Sequence, residues 1–185
     1  MFDKVILALP FSILRSSVDT PRAGFSAVKE TAIREQGMGA NTKLQLQFRT
    51  RHWRTLGNNG DSYADTGYQA TWEVTRGQAG TAGILVDYTG GDYARTFERG
   101  KLETQARTFL SQIEPVLPGL GSAWNGRALV DAWSANPWSR GAYSYWRVGQ
   151  YTRFAGAEGE RSFDCHFCGE HTSIDSQGYL NGAVE

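Results

Sequence analysis

The last nineteen residues, 167–185, constrain the fold more than any other stretch of the chain. An apolar strand predicted over Ser162–Cys168 runs into Gly169-Glu170, and the run that starts Gln177-Gly178 is predicted to open a helix. Glycine at such a junction lets a ligand touch the backbone, and a helix N-terminus offers unpaired N–H groups and a positive dipole end. The junction therefore suits a phosphate or an electron-rich ring.

The remaining hydrophobic pattern predicts an α/β fold. The apolar run Asp3–Leu9, ended by Pro10, is typical of a buried strand of an α/β sheet, and Phe11–Leu14 is expected to turn away from it. Thr42–Phe48 alternates apolar and polar residues, which predicts a half-buried strand. Further strands are predicted at Tyr68–Val74, Gly83–Tyr88 and Ala128–Trp133, and helices at Ser26–Arg34 and Lys101–Glu114.

Size and charge limit the classes of partner. A chain of 185 residues makes one ordinary domain or two small lobes. The net charge is zero, so neither nucleic acid nor an anionic membrane is an expected partner. No apolar run is long enough to span a membrane, and Val5–Leu9 lacks the features of a signal peptide. With only two cysteines, we expect a cytoplasmic protein.

The two cysteines belong to a C-x-x-C-x-x-H run that starts at Cys165 and ends at His171. A zinc site is the alternative to consider, but residues 165 and 168 of one strand face opposite sides, and the sequence has no second ligand pair. The same spacing makes a mutual disulfide awkward. We therefore predict two buried strand cysteines and no metal.

Two further features have both a structural and a functional interpretation. Lys43 lies on the polar face of its strand, which by itself favours a solvated lysine over one that points into a cavity. A set of aromatic residues favours core packing, with the lining of a flat cofactor as the alternative. The set comprises Trp133, Trp138, Tyr143, Tyr145, Trp146 and Tyr179.

Four blocks together resemble the flavin-containing amine oxidase family, which includes monoamine oxidases and L-amino-acid oxidases. They recur in the family's order and approximate spacing and cover nearly the whole chain. The blocks are residues 5–14 (VILALPFSIL), Thr42-Lys43 ahead of Trp53, residues 137–143 (PWSRGAY), and residues 167–185, which contain FCGEHTS and QGYLNGAVE.

The resemblance implies the C-terminal part of a two-lobed FAD enzyme. Residues 1–32 and 135–185 would belong to the FAD-binding lobe, and residues 33–134 would supply a mixed sheet with flanking helices to the substrate lobe. The family's G-x-G-x-x-G fingerprint, which holds the FAD pyrophosphate, is absent from this sequence. We therefore expect the chain to be a piece of a longer or multi-chain enzyme, whose N-terminal FAD-binding half lies elsewhere.

The resemblance also implies catalytic and substrate-binding residues. Lys43 matches the family lysine that holds a water against the flavin N5, which reverses the interpretation as a solvated lysine. Tyr143 and Tyr179 match the aromatic cage that frames the substrate amine. Tyr88 matches approximately the tyrosine with which L-amino-acid oxidases bind the substrate carboxylate.

The cofactor contacts follow in the same way. Trp133 matches a tryptophan near the isoalloxazine ring. Ala142 stands where some monoamine oxidases attach FAD through a cysteine, so FAD is expected to bind non-covalently. The positions that match contacts to the FAD phosphates and ribityl chain are Gly169 and Glu170, and those at the flavin N1/O2 edge are Gly178, Tyr179 and Leu180.

The implied function is FAD-dependent oxidative deamination of a primary amine, with hydride passing to flavin N5 and O2 reoxidising the flavin to give hydrogen peroxide. An L-amino-acid oxidase is the alternative substrate class, and a non-catalytic fragment or subunit is the alternative from another class. The expected partners are a small amine or amino acid, O2 and the nucleotide-binding half, with a homo-oligomer as an option. Neither nucleic acid nor a membrane is expected as a partner.

Overall fold

The computed structural model describes residues 2–185, which divide into two compact units. Unit 1 comprises the residues up to Gly39 together with Ser134–Glu185, and unit 2 comprises Ala40–Trp133. The fold is α/β, as predicted from the hydrophobic pattern. The assignment of residues 1–32 and 135–185 to an FAD-binding lobe, and of 33–134 to a substrate lobe, stays a prediction.

Six of the described strands fall at the predicted places, with bounds that differ by a few residues, and the two-residue strands at Gly37–Met38, Ser62–Tyr63 and Ser144–Tyr145 were not predicted. In chain order the strands are β1 (Val5–Leu7), β2 (Gly37–Met38), β3 (Asn41–Phe48), β4 (Ser62–Tyr63), β5 (Ala70–Glu73), β6 (Gly83–Gly90), β7 (Trp124–Ala132), β8 (Ser144–Tyr145) and β9 (Cys165–Phe167).

The helices are short apart from one of twelve residues. They are α1 (Phe11–Ser17), α2 (Ala27–Glu35), α3 (His52–Thr55), α4 (Gly91–Arg95), α5 (Leu102–Ile113), α6 (Leu120–Ala123) and α7 (Gln150–Phe154), with 3-10 turns at Thr20–Ala23, Thr96–Glu98, Glu170–Thr172 and Asn181–Ala183. Within residues 2–185, none of these helices has the length and apolar character needed to cross a bilayer.

Unit 2 is built on a five-stranded antiparallel sheet in the order β4-β5-β6-β3-β7. The alternation in β3 buries Leu44, Leu46 and Phe48 completely on one face. Helix α5 supplies Phe109 and Ile113 to the same core. Because strand side chains alternate between faces, Lys43, Gln45 and Gln47 lie on the opposite, half-buried face.

Unit 1 contains a two-stranded parallel pair, β1 with β9, in which Val5 lies opposite Cys165. Phe11 of α1 and Ile33 of α2 pack into one core with Phe167 at the end of β9. A second pair, β2 with β8, is antiparallel. It requires glycine at position 37, because a Cβ there would lie 2.6 Å from the Tyr145 carbonyl oxygen.

Three local expectations are corrected by the structure. The helix predicted from Gln177 is wrong: Gly178 adopts a left-handed φ of 85° in a turn, and only the 3-10 turn Asn181–Ala183 follows. The segment therefore has no α-helix whose positive dipole end could attract a phosphate or an electron-rich ring. Phe11–Leu14, expected to turn away from the sheet, instead begins helix α1, with Pro10 as its N-cap. Proline is tolerated at a helix start because its missing N–H would be unpaired there in any case.

The third correction concerns the cysteines. Cys165 lies in β9 and Cys168 just after its end, and both are free thiols. Both are half-buried rather than buried, because the strand is only three residues long.

Candidate functional site

Lys43 lies on the half-buried face of the unit 2 sheet, between two strands that flank it. In the antiparallel register it is opposite Tyr88 of β6 on one side and Asp131 of β7 on the other. Directly opposed residues point to the same face of a sheet. An ammonium, a phenol and a carboxylate are therefore neighbours in one row across three strands.

The surroundings of this row are polar and aromatic. Gln45, two residues along β3, donates a hydrogen bond of 2.8 Å from Nε2 to Asp131 Oδ2. The ring of Trp72 on β5 lies 5.2 Å from the ring of Tyr88, measured between centroids. Such a face combines one apolar wall with hydrogen-bonding groups, which is typical of a small-molecule site.

Trp133, expected near a flavin ring, follows the end of β7. Its backbone N–H donates to the carbonyl oxygen of Asn41 at 3.4 Å, which extends the β3–β7 ladder by one residue. Its side chain is partly exposed in unit 2.

Asp87 precedes Tyr88 in β6 and therefore points to the other face, into the core. It is fully buried, and among the described residues neither carboxylate oxygen has a hydrogen-bond partner. Burial raises the pKa of Asp87 to about 7, because a charge is poorly solvated in the core. The titratable carboxyl group of Asp87 therefore lies on the core side of the sheet, opposite the half-buried face that carries Tyr88.

Unit 1 holds the other predicted residues. Ala142 N–H donates to the Gly39 carbonyl oxygen at 2.8 Å, and Gly39 N–H donates to that of Tyr143 at 2.7 Å. These bonds extend the β2–β8 pair and fix the backbone of Tyr143. The Tyr143 side chain is 39% exposed, so its ring is available to a ligand.

The Gly-Glu junction follows directly after β9. Gly169 has φ 125° and ψ 170°, a conformation reserved for glycine, and a Cβ there would lie 3.0 Å from Cε1 of His171. The Glu170 carboxylate accepts hydrogen bonds from the backbone N–H of Ser144 at 2.9 Å, from its hydroxyl at 2.8 Å, and from the Gly178 N–H at 2.7 Å.

The turn at Gly178, which directly precedes Tyr179, lies beside Tyr143. A Cβ added to Gly178 would lie 3.7 Å from Cδ2 of Tyr143, so the Tyr143 ring packs beside the residue that precedes Tyr179. Tyr179 is 71% exposed and Leu180 is also exposed. Both rings of the predicted cage are therefore accessible within unit 1.

The structure thus collects the predicted residues into two groups. Tyr88, Lys43 and Trp133 lie in unit 2, and Ala142, Tyr143, Gly169, Glu170, Gly178, Tyr179 and Leu180 lie in unit 1. Two contributors were missed, Asp131 beside Lys43 and Ser144 beside Glu170. No sequence signal marks either, because each matters through a partner distant along the chain.

Unit 1 offers features that fit a dinucleotide cofactor. The carboxyl ends of the parallel strands β1 and β9 share one edge, and Gly169 follows β9 there. Ligands of α/β sheets bind outside the carboxyl ends of strands, where bare glycine backbone allows close approach. Within residues 2–185, no group of three or more His, Cys, Asp or Glu side chains is placed to hold a metal ion.

Comparison with known proteins gives a match over the whole chain. The family described as flavin containing amine oxidoreductase matches residues 1–185. YobN of Bacillus subtilis (strain 168), named as an L-amino-acid oxidase, is 28% identical over 190 residues, which is 99% of this chain and 39% of YobN. Polyamine oxidase 5 of Oryza sativa subsp. japonica is 27% identical over 98% of this chain and 36% of its own length.

Solved structures agree with the fold. Cyclohexylamine oxidase from Brevibacterium oxydans IH-35A superposes with a TM-score of 0.82 at 18% identity, over 98% of this chain and 40% of that chain. Putrescine oxidase bound to putrescine gives a TM-score of 0.83 at 22% identity, over the same shares. The chain therefore spans about two fifths of the length of the relatives it matches.

Proposed function

Because the chain belongs to the flavin containing amine oxidoreductase family, we propose that it forms part of the site of an FAD-dependent oxidase of primary amines. One observation carries the proposal. The segments that bear Tyr143 and Tyr179, 36 residues apart in sequence, meet in unit 1 at Gly178, with both rings exposed. Two accessible aromatic rings on adjoining segments can frame an amine and keep water from it.

FAD is proposed to bind without a covalent bond. The alanine side chain of Ala142 has no nucleophile, and Gly169 presents bare backbone directly after β9, where the phosphate-bearing part of the cofactor would bind. When bound, FAD would supply the acceptor for a hydride from the amine C–H, and its reoxidation by O2 would complete the reaction. The overall change is R–CH2–NH2 with O2 and H2O to an aldehyde, NH3 and H2O2, after hydrolysis of the imine.

Lys43 is proposed to hold a water at its ammonium group on the half-buried sheet face. Asp131 lies opposite Lys43 in the sheet register, and Gln45 holds the Asp131 carboxylate by a hydrogen bond. The lysine side chain would orient the water on this face. No residue is assigned as a general base.

The substrate class has a second candidate, an L-amino acid. Tyr88 lies directly opposite Lys43 in the sheet register, so its phenol is on the face that carries the lysine, where it would contact a substrate carboxylate. YobN is named as an L-amino-acid oxidase, whereas the other relatives and structures described above are named for amines or polyamines. A primary amine is our first proposal.

The whole activity is proposed to need the nucleotide-binding half, which lacks a counterpart in this sequence. The proposed setting is the cytoplasm. If the chain is instead a non-catalytic subunit, it would bind neither FAD nor amine when that half is supplied.

The experiment is a flavin absorbance spectrum of the purified chain, alone and together with a nucleotide-binding half, followed by a peroxide assay with primary amines and L-amino acids. We expect stoichiometric FAD only in the complete protein, released on denaturation, and peroxide formed with amines. Tight FAD on the chain alone contradicts the need for a second half. A complete, FAD-loaded protein that oxidises no amine and no amino acid contradicts the oxidase proposal.

A further inference from the structure

The side chain of Glu170 is held entirely by donors from two other segments. Its Oε1 accepts from the backbone N–H of Ser144, and its Oε2 accepts from the Ser144 hydroxyl and from the Gly178 N–H, at 2.7–2.9 Å. Ser144 is buried and Glu170 half-buried. Hydrogen bonds to an ionised carboxylate are stronger than neutral ones, and a carboxylate has about four acceptor positions, of which three are used here.

The two segments that Glu170 joins are those of the proposed cage. Ser144 directly follows Tyr143, and Gly178 directly precedes Tyr179. Ser144 is 26 residues from Glu170 along the chain and Gly178 is eight, so no local turn would bring both segments to one carboxylate. At Gly178, whose φ is left-handed, the N–H donates to Glu170, and a Cβ would lie 3.7 Å from Cδ2 of Tyr143.

We propose that Glu170 is a positioning residue that sets the spacing of Tyr143 and Tyr179 by fixing the backbone beside each. The inference rests on the proposed function and assigns the Glu170 side chain a task distinct from direct contact with the cofactor. Each tyrosine has a backbone anchor in the adjacent residue, so the separation of the two rings follows from the geometry of one carboxylate. The cage would discriminate among amines by this separation.

Glutamine at position 170 tests the proposal because it keeps the size and removes the double acceptor. The side-chain NH2 group of the glutamine takes the place of one carboxylate oxygen. Depending on the orientation, it faces the backbone N–H of Ser144 or that of Gly178, and that N–H then loses its acceptor. Ser144→Ala is a milder second variant, which removes only the hydroxyl bond. Glu160→Gln, at an exposed glutamate of unit 1, is the matched control.

The first measurement does not depend on activity. The complete protein is labelled with 3-fluorotyrosine, and the signals of Tyr143 and Tyr179 are assigned in the fluorine NMR spectrum from Tyr→Phe variants. We expect Glu170→Gln to shift or broaden both signals and to leave that of the exposed Tyr63 unchanged. Ser144→Ala should produce a smaller change in the same two signals. Unchanged signals of Tyr143 and Tyr179 overturn the proposal.

The second measurement uses the FAD-loaded enzyme. We expect Glu170→Gln to keep its FAD content and to lose about tenfold in kcat/KM for amines, since misplaced contacts cost at least that much. The loss should be non-additive with that of Tyr143→Ala. Loss of FAD with a normal kcat/KM at saturating FAD identifies a direct cofactor ligand and overturns the positioning role. If the unsubstituted protein oxidises no amine, the proposed function fails, and the fluorine spectra alone decide the positioning role.

Discussion

Lys43 of β3 and Tyr88 of β6 are directly opposed across the antiparallel pair, side by side on the half-buried face of the sheet. The sequence suggested a role for each separately, 45 residues apart, and the register makes them neighbours. Asp131 of β7 completes the row on the other side of the lysine. If the proposed function holds, one face of unit 2 carries both a cationic group for the oxidation and a phenol for a substrate carboxylate.

Replacing Lys43 by methionine should slow the oxidation while leaving the fold intact, because a half-buried position accepts an unbranched apolar side chain. In the FAD-loaded enzyme we expect flavin reduction or reoxidation by O2 to fall about tenfold or more, measured by stopped-flow absorbance. Lys101→Met, at an exposed lysine of unit 2, is the control and should leave both rates unchanged. Equal rates in Lys43→Met and the unsubstituted enzyme would remove Lys43 from the site.

Removing either ring of the cage should weaken catalysis with amines. Tyr143→Ala and Tyr179→Ala are each expected to lower kcat/KM by about tenfold, because each deletes an aromatic wall that orients the amine and excludes water. Both side chains are accessible, so thermal unfolding should change little. Tyr63→Ala, at an exposed tyrosine of unit 2, is the control. Normal kcat/KM in both cage variants would show that the cage has been assigned to the wrong residues.

Asp87 should make the stability of the fold depend on pH. Burial raises its pKa from 3.8 in the unfolded chain to about 7 in the folded one, so the folded state binds the extra proton between these values. The contribution of Asp87 to the free energy of unfolding is therefore greatest below about pH 4. It decreases as the pH rises to about 7, by a total of the order of 4 kcal/mol.

The check is urea unfolding of Asp87→Asn and of the unsubstituted protein at several pH values. The free energy of unfolding of Asp87→Asn should lack this part of the pH dependence. Compared with the unsubstituted protein, the variant should therefore become more stable as the pH rises from about 4 to about 7. Asp92→Asn, at an exposed aspartate, should follow the unsubstituted protein. Parallel stability curves for Asp87→Asn and the unsubstituted protein would mean that the carboxyl group is not buried as described.

Glu73 should be essential to the stability of unit 2, because it neutralises a buried cation. Its carboxylate accepts hydrogen bonds from Arg51 Nε at 2.5 Å and from Trp53 Nε1 at 3.0 Å. Burial tends to raise the pKa of Glu73, but the bonds from Trp53, Arg51, Thr75 and Arg54 outweigh it and hold the pKa below its ordinary value.

We expect Glu73→Ala to lower the free energy of unfolding by about 3–5 kcal/mol, since Arg51 would be left buried without its counterion. Glu103→Ala, which breaks an exposed pair with Arg107, should cost no more than about 1 kcal/mol. Chemical denaturation of both variants provides the comparison. Similar costs for the two substitutions would contradict the role of burial.

Much of the architecture was predictable because it depends on local patterns. The alternation in Thr42–Phe48 predicted which side chains of β3 reach the core, and the apolar face of Lys101–Glu114 predicted α5. The predicted helix from Gln177 was wrong because the left-handed turn at Gly178 is fixed in part by the Glu170 carboxylate, eight residues earlier.

The sequence by itself determined that the chain is an α/β protein of the flavin-containing amine oxidase type, since its strands, helix and motif blocks are contiguous stretches. Only the tertiary structure decided which residues share a face or a hydrogen-bonded carboxylate. The pairing of Lys43 with Tyr88 depends on the register of β3 against β6, and the tie from Ser144 to Gly178 depends on Glu170. Both contacts arise from packing between segments that are distant in sequence. A local pattern of residue types does not indicate which distant residue will lie opposite a given side chain.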